Sequence, residues 1–145
     1  MVIKDFHSKS VFLDTAPLIY FIEGHSNYQS ILSSLFDFND QGGFSFATSS
    51  VTLLEVLVKP LREGQKKIAE QYRNILISAP GIEIFDVTTS IAEEAAKLRA
   101  IYNLRTPDAI QLATCINVGA DFFLTNDNRL KMVSEASVVT IGDIE

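Results

Sequence analysis

The chain has 145 residues, a formal net charge of −6 and a hydrophobic share of 47%, enough apolar material for one packed domain without staples. One cysteine, Cys115, excludes an intrachain disulfide framework or a cysteine zinc site and fits a reducing, cytoplasmic setting. No apolar run reaches the length of a membrane span. The acidic balance is unfavourable for non-specific nucleic-acid binding through a basic surface but suits carboxylates that hold a hard cation or a basic partner segment, with charge alone deciding neither.

Residues 1–10 read as a short polar lead-in, with His7 taken as a surface residue. Val11-Phe12-Leu13 predicts a buried strand that ends at Asp14. Ala16-Pro17 then opens a short apolar helix closed by Gly24, with His25 again on the surface. Tyr28 to Asp40 has near-helical apolar spacing, stopped by Gln41-Gly42-Gly43. This stretch predicts core, with a partner-binding face as the alternative. Phe44 to Ala47 alternates as a second strand, and Thr48-Ser49-Ser50 offers caps for a helix from about Val51 to Leu61. Pro60 is expected to disrupt that helix near its end.

A helical stretch over residues 64–78 precedes the turn Pro80-Gly81 and a third strand, Ile82 to Asp86. Thr88, Thr89 and Ser90 compete to cap a helix running to Tyr102, with Ala95, Leu98 and Ile101 expected inside. Thr106 as N-cap and Pro107 at the first helical position open another helix, which Gly119 closes. Asp121 to Leu124 reads as a fourth strand and Val138 to Ile141 as a fifth. Strands alternating with helices predict a three-layer α/β/α sandwich, with a mostly parallel sheet of four to five strands and a single domain over residues 1–145.

Four acids then need explaining. Asp14 and Asp127 follow the first and fourth strands, at the carboxyl edge where parallel sheets bind ligands. Capping of the next helix is the competing role for Asp14. Glu55 falls at the margin of an apolar helix face, with Thr52 and Lys59 further toward the polar side. It needs a cation, or else reaches water or Arg62. Asp108, placed second in its helix, shares a face with Leu112 and Cys115 and so points inward, although acids also favour first turns in general. Carboxylates gathered without His or Cys ligands suit Mg²⁺ or Mn²⁺. No glycine-rich phosphate loop is present. Asp14 also lacks the second acid that a haloacid-dehalogenase or a response-regulator receiver would place beside it.

Leu13-Asp14-Thr15, Ser50-Val51-Thr52-Leu53-Leu54-Glu55, Thr106-Pro107-Asp108-Ala109-Ile110-Gln111-Leu112-Ala113-Thr114 and Leu124-Thr125-Asn126-Asp127 resemble, in order, the motifs of PIN-domain ribonucleases. The likeness is to the VapC-like toxins of type II toxin–antitoxin systems. It implies that Asp14, Glu55, Asp108 and Asp127 meet in one metal-binding, catalytic pocket. Thr15, Thr125, Asn126 and Arg105 would stand around them or face substrate. It further implies Mg²⁺- or Mn²⁺-dependent endonucleolytic cleavage of RNA leaving 5′-phosphate and 3′-hydroxyl ends, and a cognate antitoxin. Because few cations flank the motifs, substrate affinity is expected to depend on the groove of a homodimer that compensates for the acidic surface. A two-metal hydrolysis, which needs no side-chain nucleophile, suits these residues. The alternative is a PIN-fold binding or scaffold module with a weak or inactive site.

Overall fold

The computed structural model describes residues 1–145. Five short strands, β1 (Ser10–Leu13), β2 (Ser45–Ser49), β3 (Ile82–Phe85), β4 (Phe122–Thr125) and β5 (Val138–Thr140), form one sheet in the order β3-β2-β1-β4-β5. All four pairings are parallel. The intervening helices are α1 (Thr15–Glu23), α2 (Gln29–Asp40), α3 (Ser50–Arg62), α4 (Lys66–Arg73), α5 (Thr89–Tyr102) and α6 (Thr106–Val118).

The period-2 alternation of β1 divides the core. Val11 and Leu13 pack on one face with Leu18, Leu32, Leu35, Val56 and Tyr72, from α1 to α4. Phe12 points to the other face, where it stacks on Phe123 at 5.3 Å and packs with Leu98, Leu112 and Ala113 of α5 and α6. Because both faces are covered, β1 and β4 read as unbroken apolar runs. The apolar residues of the 28–46 stretch, Leu32, Leu35, Phe36, Phe44 and Phe46, belong to the first of these cores.

The sequence order reverses at β1. The chain moves outward through β2 and β3, then returns to add β4 and β5 on the other side. The carboxyl ends of β1 and β4 therefore flank a topological switch point, where the connections diverge and leave a crevice.

Five local expectations change. The lead-in is structured: Ile3–Phe6 forms a 3₁₀ turn and Phe6 is fully buried against Phe44 and Phe122. Helix α3 continues through Pro60, which is buried, because a proline near a helix end sacrifices only one backbone bond. The 64–78 stretch is not one regular helix, since α4 gives way to a π-helical turn at Asn74–Ser78. Ile101 is 65% exposed, as α5 buries Ile91, Ala95 and Leu98 but presents its last turn to solvent. Helix α6 starts one residue early, with Arg105 as N-cap and Pro107 second. Proline costs no hydrogen bond there, because first-turn N–H groups have no intrahelical acceptor.

Candidate active site

Each acid reaches the carboxyl edge of the sheet by a different local device. Asp14 directly follows β1, and its backbone N–H bonds the Leu124 carbonyl at 3.0 Å, continuing the ladder for one residue. It then turns out of the sheet as N-cap of α1, its Oδ1 accepting from Thr15 N at 2.9 Å. Its Oδ2 accepts from Thr125 Oγ1 at 2.8 Å. Asp14 thus takes the capping role while its second oxygen stays tied across to the end of β4. Burial raises the Asp14 carboxyl above its ordinary range; the Thr125 and Thr15 hydrogen bonds oppose this, and the charges of Asp108 and Glu55 add to it.

Glu55 lies on the second turn of α3 and accepts from Thr15 Oγ1 at 2.7 Å, not from Arg62. Its helix is rotated from the expected orientation: Thr52 is fully buried and Val58 is 43% exposed. The cause is a buried polar chain that apolar periodicity cannot register. Thr48 Oγ1 donates to the Leu13 carbonyl at 2.8 Å and shares a 2.9 Å hydrogen bond with Thr52 Oγ1. Gln111 Nε2 donates to Thr52 Oγ1 at 2.6 Å, and Ser49 Oγ donates to Gln111 Oε1. Ser49 also caps α3 by accepting from Val51 N at 3.1 Å. All four side chains are buried, so the chain fastens α3 and α6 to the end of β1, where Asp14 begins.

Asp108 occupies the third position of α6, where the free N–H groups and the dipole of the first turn favour a carboxylate. Arg105 grips it through Nε at 3.0 Å and Nη2 at 3.3 Å. The two partners differ sharply in exposure, with 73% for the arginine side chain against 14% for the aspartate. Asp127 follows β4 and caps the 3₁₀ turn Asn128–Met132. Its Oδ1 accepts from Arg129 N and Nε, both at 3.0 Å, and its Oδ2 from Nη2 at 2.8 Å. The Arg129 hydrogen bond lowers its carboxyl below the usual range.

Asp14, Thr15, Glu55, Arg105, Asp108, Thr125, Asn126 and Asp127 all line one open cavity of about 300 Å³, together with Ala16 and Ile19. Every residue singled out from the sequence for the site is in it. The side chains do not close into a group of three placed to hold a metal ion. Glu55 is turned to Thr15, while Asp108 and Asp127 are turned to their arginines. The donor set itself is entirely oxygen on the acid side, with carboxylates, hydroxyls and one amide and no imidazole or thiol. Such donors fit a hard divalent cation. The Asp14 carboxyl is raised chiefly by its burial, with the charges of Asp108 and Glu55 as smaller contributions. The lone thiol, Cys115, is buried outside the cavity, and burial pushes it up to about 12.

The sequence offers Ser49 as a cap, which it is, but not the buried polar chain that joins Ser49, Thr52 and Gln111, whose polar chemistry resembles that of surface positions. Nor does it mark Ala16 and Ile19, which are small and apolar and line the cavity because Asp14 starts α1 at its mouth.

No curated protein matches the sequence. Among solved structures, VapBC2 from Rickettsia felis bound to a promoter DNA fragment aligns with a TM-score of 0.73 at 18% identity, covering 90% of this chain and 98% of that one. A toxin–antitoxin complex from Klebsiella pneumoniae aligns at 0.67 and 25% identity, covering 90% and 97%. VapC20 of Mycobacterium tuberculosis, described as a sarcin–ricin-loop-cleaving toxin, aligns at 0.70 and 17% identity, covering 86% and 95%. These are likenesses of fold. The sequence itself matches the PIN domain over residues 11–136, and with motif order, sheet topology and that match in agreement, the chain belongs to the PIN-domain family.

Proposed function

We propose that this protein is a divalent-metal-dependent endoribonuclease, a single PIN domain over residues 1–145, acting as the toxin of a toxin–antitoxin pair. The observation that carries the reading is the convergence of four acids, from four separate segments, on one open cavity at the switch point of a parallel sheet. Asp14, Asp108, Glu55 and Asp127 would hold Mg²⁺ or Mn²⁺ there. A bound divalent ion supplies activation of water and stabilisation of charge at a phosphodiester.

The chain's own residues do the rest. Thr15 fixes the Glu55 carboxylate, and Thr125 fixes that of Asp14, so neither reorients freely. Arg105 and Arg129 neutralise Asp108 and Asp127 until a cation competes for them. With a cation held by those carboxylates, both exposed guanidiniums would be available to phosphate oxygens.

Toxin–antitoxin complexes among the matched folds support an antitoxin partner. So does the surface. Leu54, Val58 and Leu61 are 64%, 43% and 67% exposed and form one apolar stripe along α3, beginning next to Glu55. We assign that stripe to protein contact, with the antitoxin or in a homodimer. No helix is long and apolar enough to cross a membrane, and a cytoplasmic toxin is the reading that goes with the reduced buried cysteine.

The second reading, a PIN-fold binding module without hydrolysis, is favoured by the arginine pairs that hold two of the acids. Incubation of a pool of tRNA and structured RNA with Mg²⁺, Mn²⁺ or EDTA separates them. Cleavage that needs metal and disappears in Asp108→Asn is the expected outcome. A folded wild type that neither cleaves the pool nor binds Mn²⁺ would sink the nuclease.

A further inference from the structure

We infer that Tyr20, His25 and Tyr28, at the corner between α1 and α2, form a nucleobase-binding rim on the acidic cavity. Its ligand is an unpaired base of single-stranded RNA. The inference rests on the nuclease reading and adds to it the place where a base is held.

The three rings form one cluster. Their centroids lie 4.4 Å apart for Tyr20 and His25, 4.8 Å for His25 and Tyr28, and 5.8 Å for Tyr20 and Tyr28. All three are half-buried. Gly24, at φ +78°, lets the chain turn back after α1, and the N–H of His25 then bonds the Tyr20 carbonyl at 3.1 Å. That bond holds the imidazole against the Tyr20 ring. The cluster is joined to the cavity directly, because Asn126, a cavity-lining residue, donates through Nδ2 to the Tyr20 hydroxyl at 3.1 Å.

Each ring brings a polar tip that packing alone does not require. His25 Nδ1 accepts from Asn27 N at 3.2 Å, so the neutral ring carries its proton on Nε2 as a donor without a protein partner. The Tyr28 hydroxyl has no protein partner, and that of Tyr20 accepts from Asn126 with its own proton left to donate. Aromatic faces with donor tips beside them suit an unstacked base, which offers a π-face and carbonyl acceptors.

Electrostatics leads to the same place. The protein carries −6, and the two arginines closest to the acids are engaged by them. On such a surface phosphate attraction is confined to the cavity, to its two arginines and any cation held there. Base stacking is the contribution that does not depend on charge. The Tyr20 cluster is the aromatic group hydrogen-bonded to the cavity lining.

The test is binding of a labelled single-stranded RNA oligonucleotide, with Ca²⁺ in place of Mg²⁺, alongside cleavage in Mg²⁺. His25→Ala and Tyr28→Ala should each weaken binding by about tenfold, the scale of one lost stacking partner. Tyr28→Phe should restore most of the affinity. Abasic residues introduced one position at a time should weaken the wild type by a similar factor at one position and leave the alanine variants unmoved there. His25 is half-buried on the turn after α1, outside any helix or strand, so its variant remains informative if Tyr28→Ala fails to fold. Equal affinity of wild type and variants, or equal penalties on base-bearing and abasic RNA, overturns the rim. A rim serving a protein partner would give the first of these results. Metal-dependent cleavage retained by the wild type would then leave the nuclease standing; its absence from the wild type brings down both.

Discussion

The inner and outer halves of the acidic cavity are held by opposite means. Inside, Asp14 and Glu55 are fixed by neutral hydroxyls, those of Thr125 and Thr15, and Asp14 is pushed toward its protonated form. Outside, Asp108 and Asp127 are held by exposed guanidiniums, and Asp127 is pushed toward ionisation. The inner half is preorganised around a buried carboxyl whose charged form burial disfavours, so a cation beside it would be favoured. The outer half is compensated by groups that can swing away. A site built in this way can place two carboxylates rigidly and still exchange the partners of the other two.

The largest expected effect lies at the inner end. Asp14→Asn should lower metal-dependent RNA cleavage by more than ~100-fold, beyond the usual loss when only a supporting partner of a ligand is removed. The same variant tests the electrostatic claim without metal. With its carboxyl raised, the folded protein keeps the Asp14 proton to higher pH than the unfolded chain does. This group's stabilisation is complete below the ordinary carboxyl range and is lost as pH rises through the raised value. Urea midpoints in EDTA, from about pH 4 upward, should fall less steeply for Asp14→Asn than for wild type. An unchanged slope would break the contrast between the halves.

Thr125→Val should come next. It removes the donor that favours the Asp14 carboxylate, so that carboxyl rises further and cleavage falls by about 10–100-fold. The acid limb of the pH–rate profile should move to higher pH. Gln111→Leu should cost about 1–3 kcal/mol of stability by leaving buried hydroxyls unpaired, read from urea unfolding. Its activity loss should be smaller than that of Thr125→Val. The smallest effect belongs to the outer half: Arg129→Ala should leave the urea midpoint unchanged within error, as exposed pairs contribute little. It should tighten Mn²⁺ binding slightly by freeing Asp127. A clear loss of stability there would show the outer half to be as rigid as the inner.

How well the sequence foretells each half follows from the range of the forces involved. The positions of Asp14 and Asp127 are legible because a short apolar run, a following acid and nearby Pro or Gly are all local signals. The inward direction of Asp108 follows from its spacing to Leu112 and Cys115, both buried. The rotation of α3 is not legible. It depends on Thr48, Thr52 and Gln111 finding each other across as many as 63 positions of chain, from Thr48 to Gln111, and hydrophobic patterning counts all three as polar. Phe6 was hidden for a related reason, since one aromatic residue in a polar segment has no periodicity to reveal it. The arginine grips are local, yet their geometry depends on rotamers that no spacing rule supplies.

The buried Cys115 has a practical consequence. It is the chain's one thiol, it lies in the α5–α6 core with 2% exposure, and its pKa is pushed up to about 12. Neither access nor thiolate chemistry allows an alkylating reagent to modify it in the folded state. Labelling therefore has to wait for the helical layer to open, and its rate measures how often that happens. Mass-resolved labelling with and without Mn²⁺ would thus turn one inert side chain into a gauge of how strongly the metal ties the carboxyl edge of the sheet to the layer behind it.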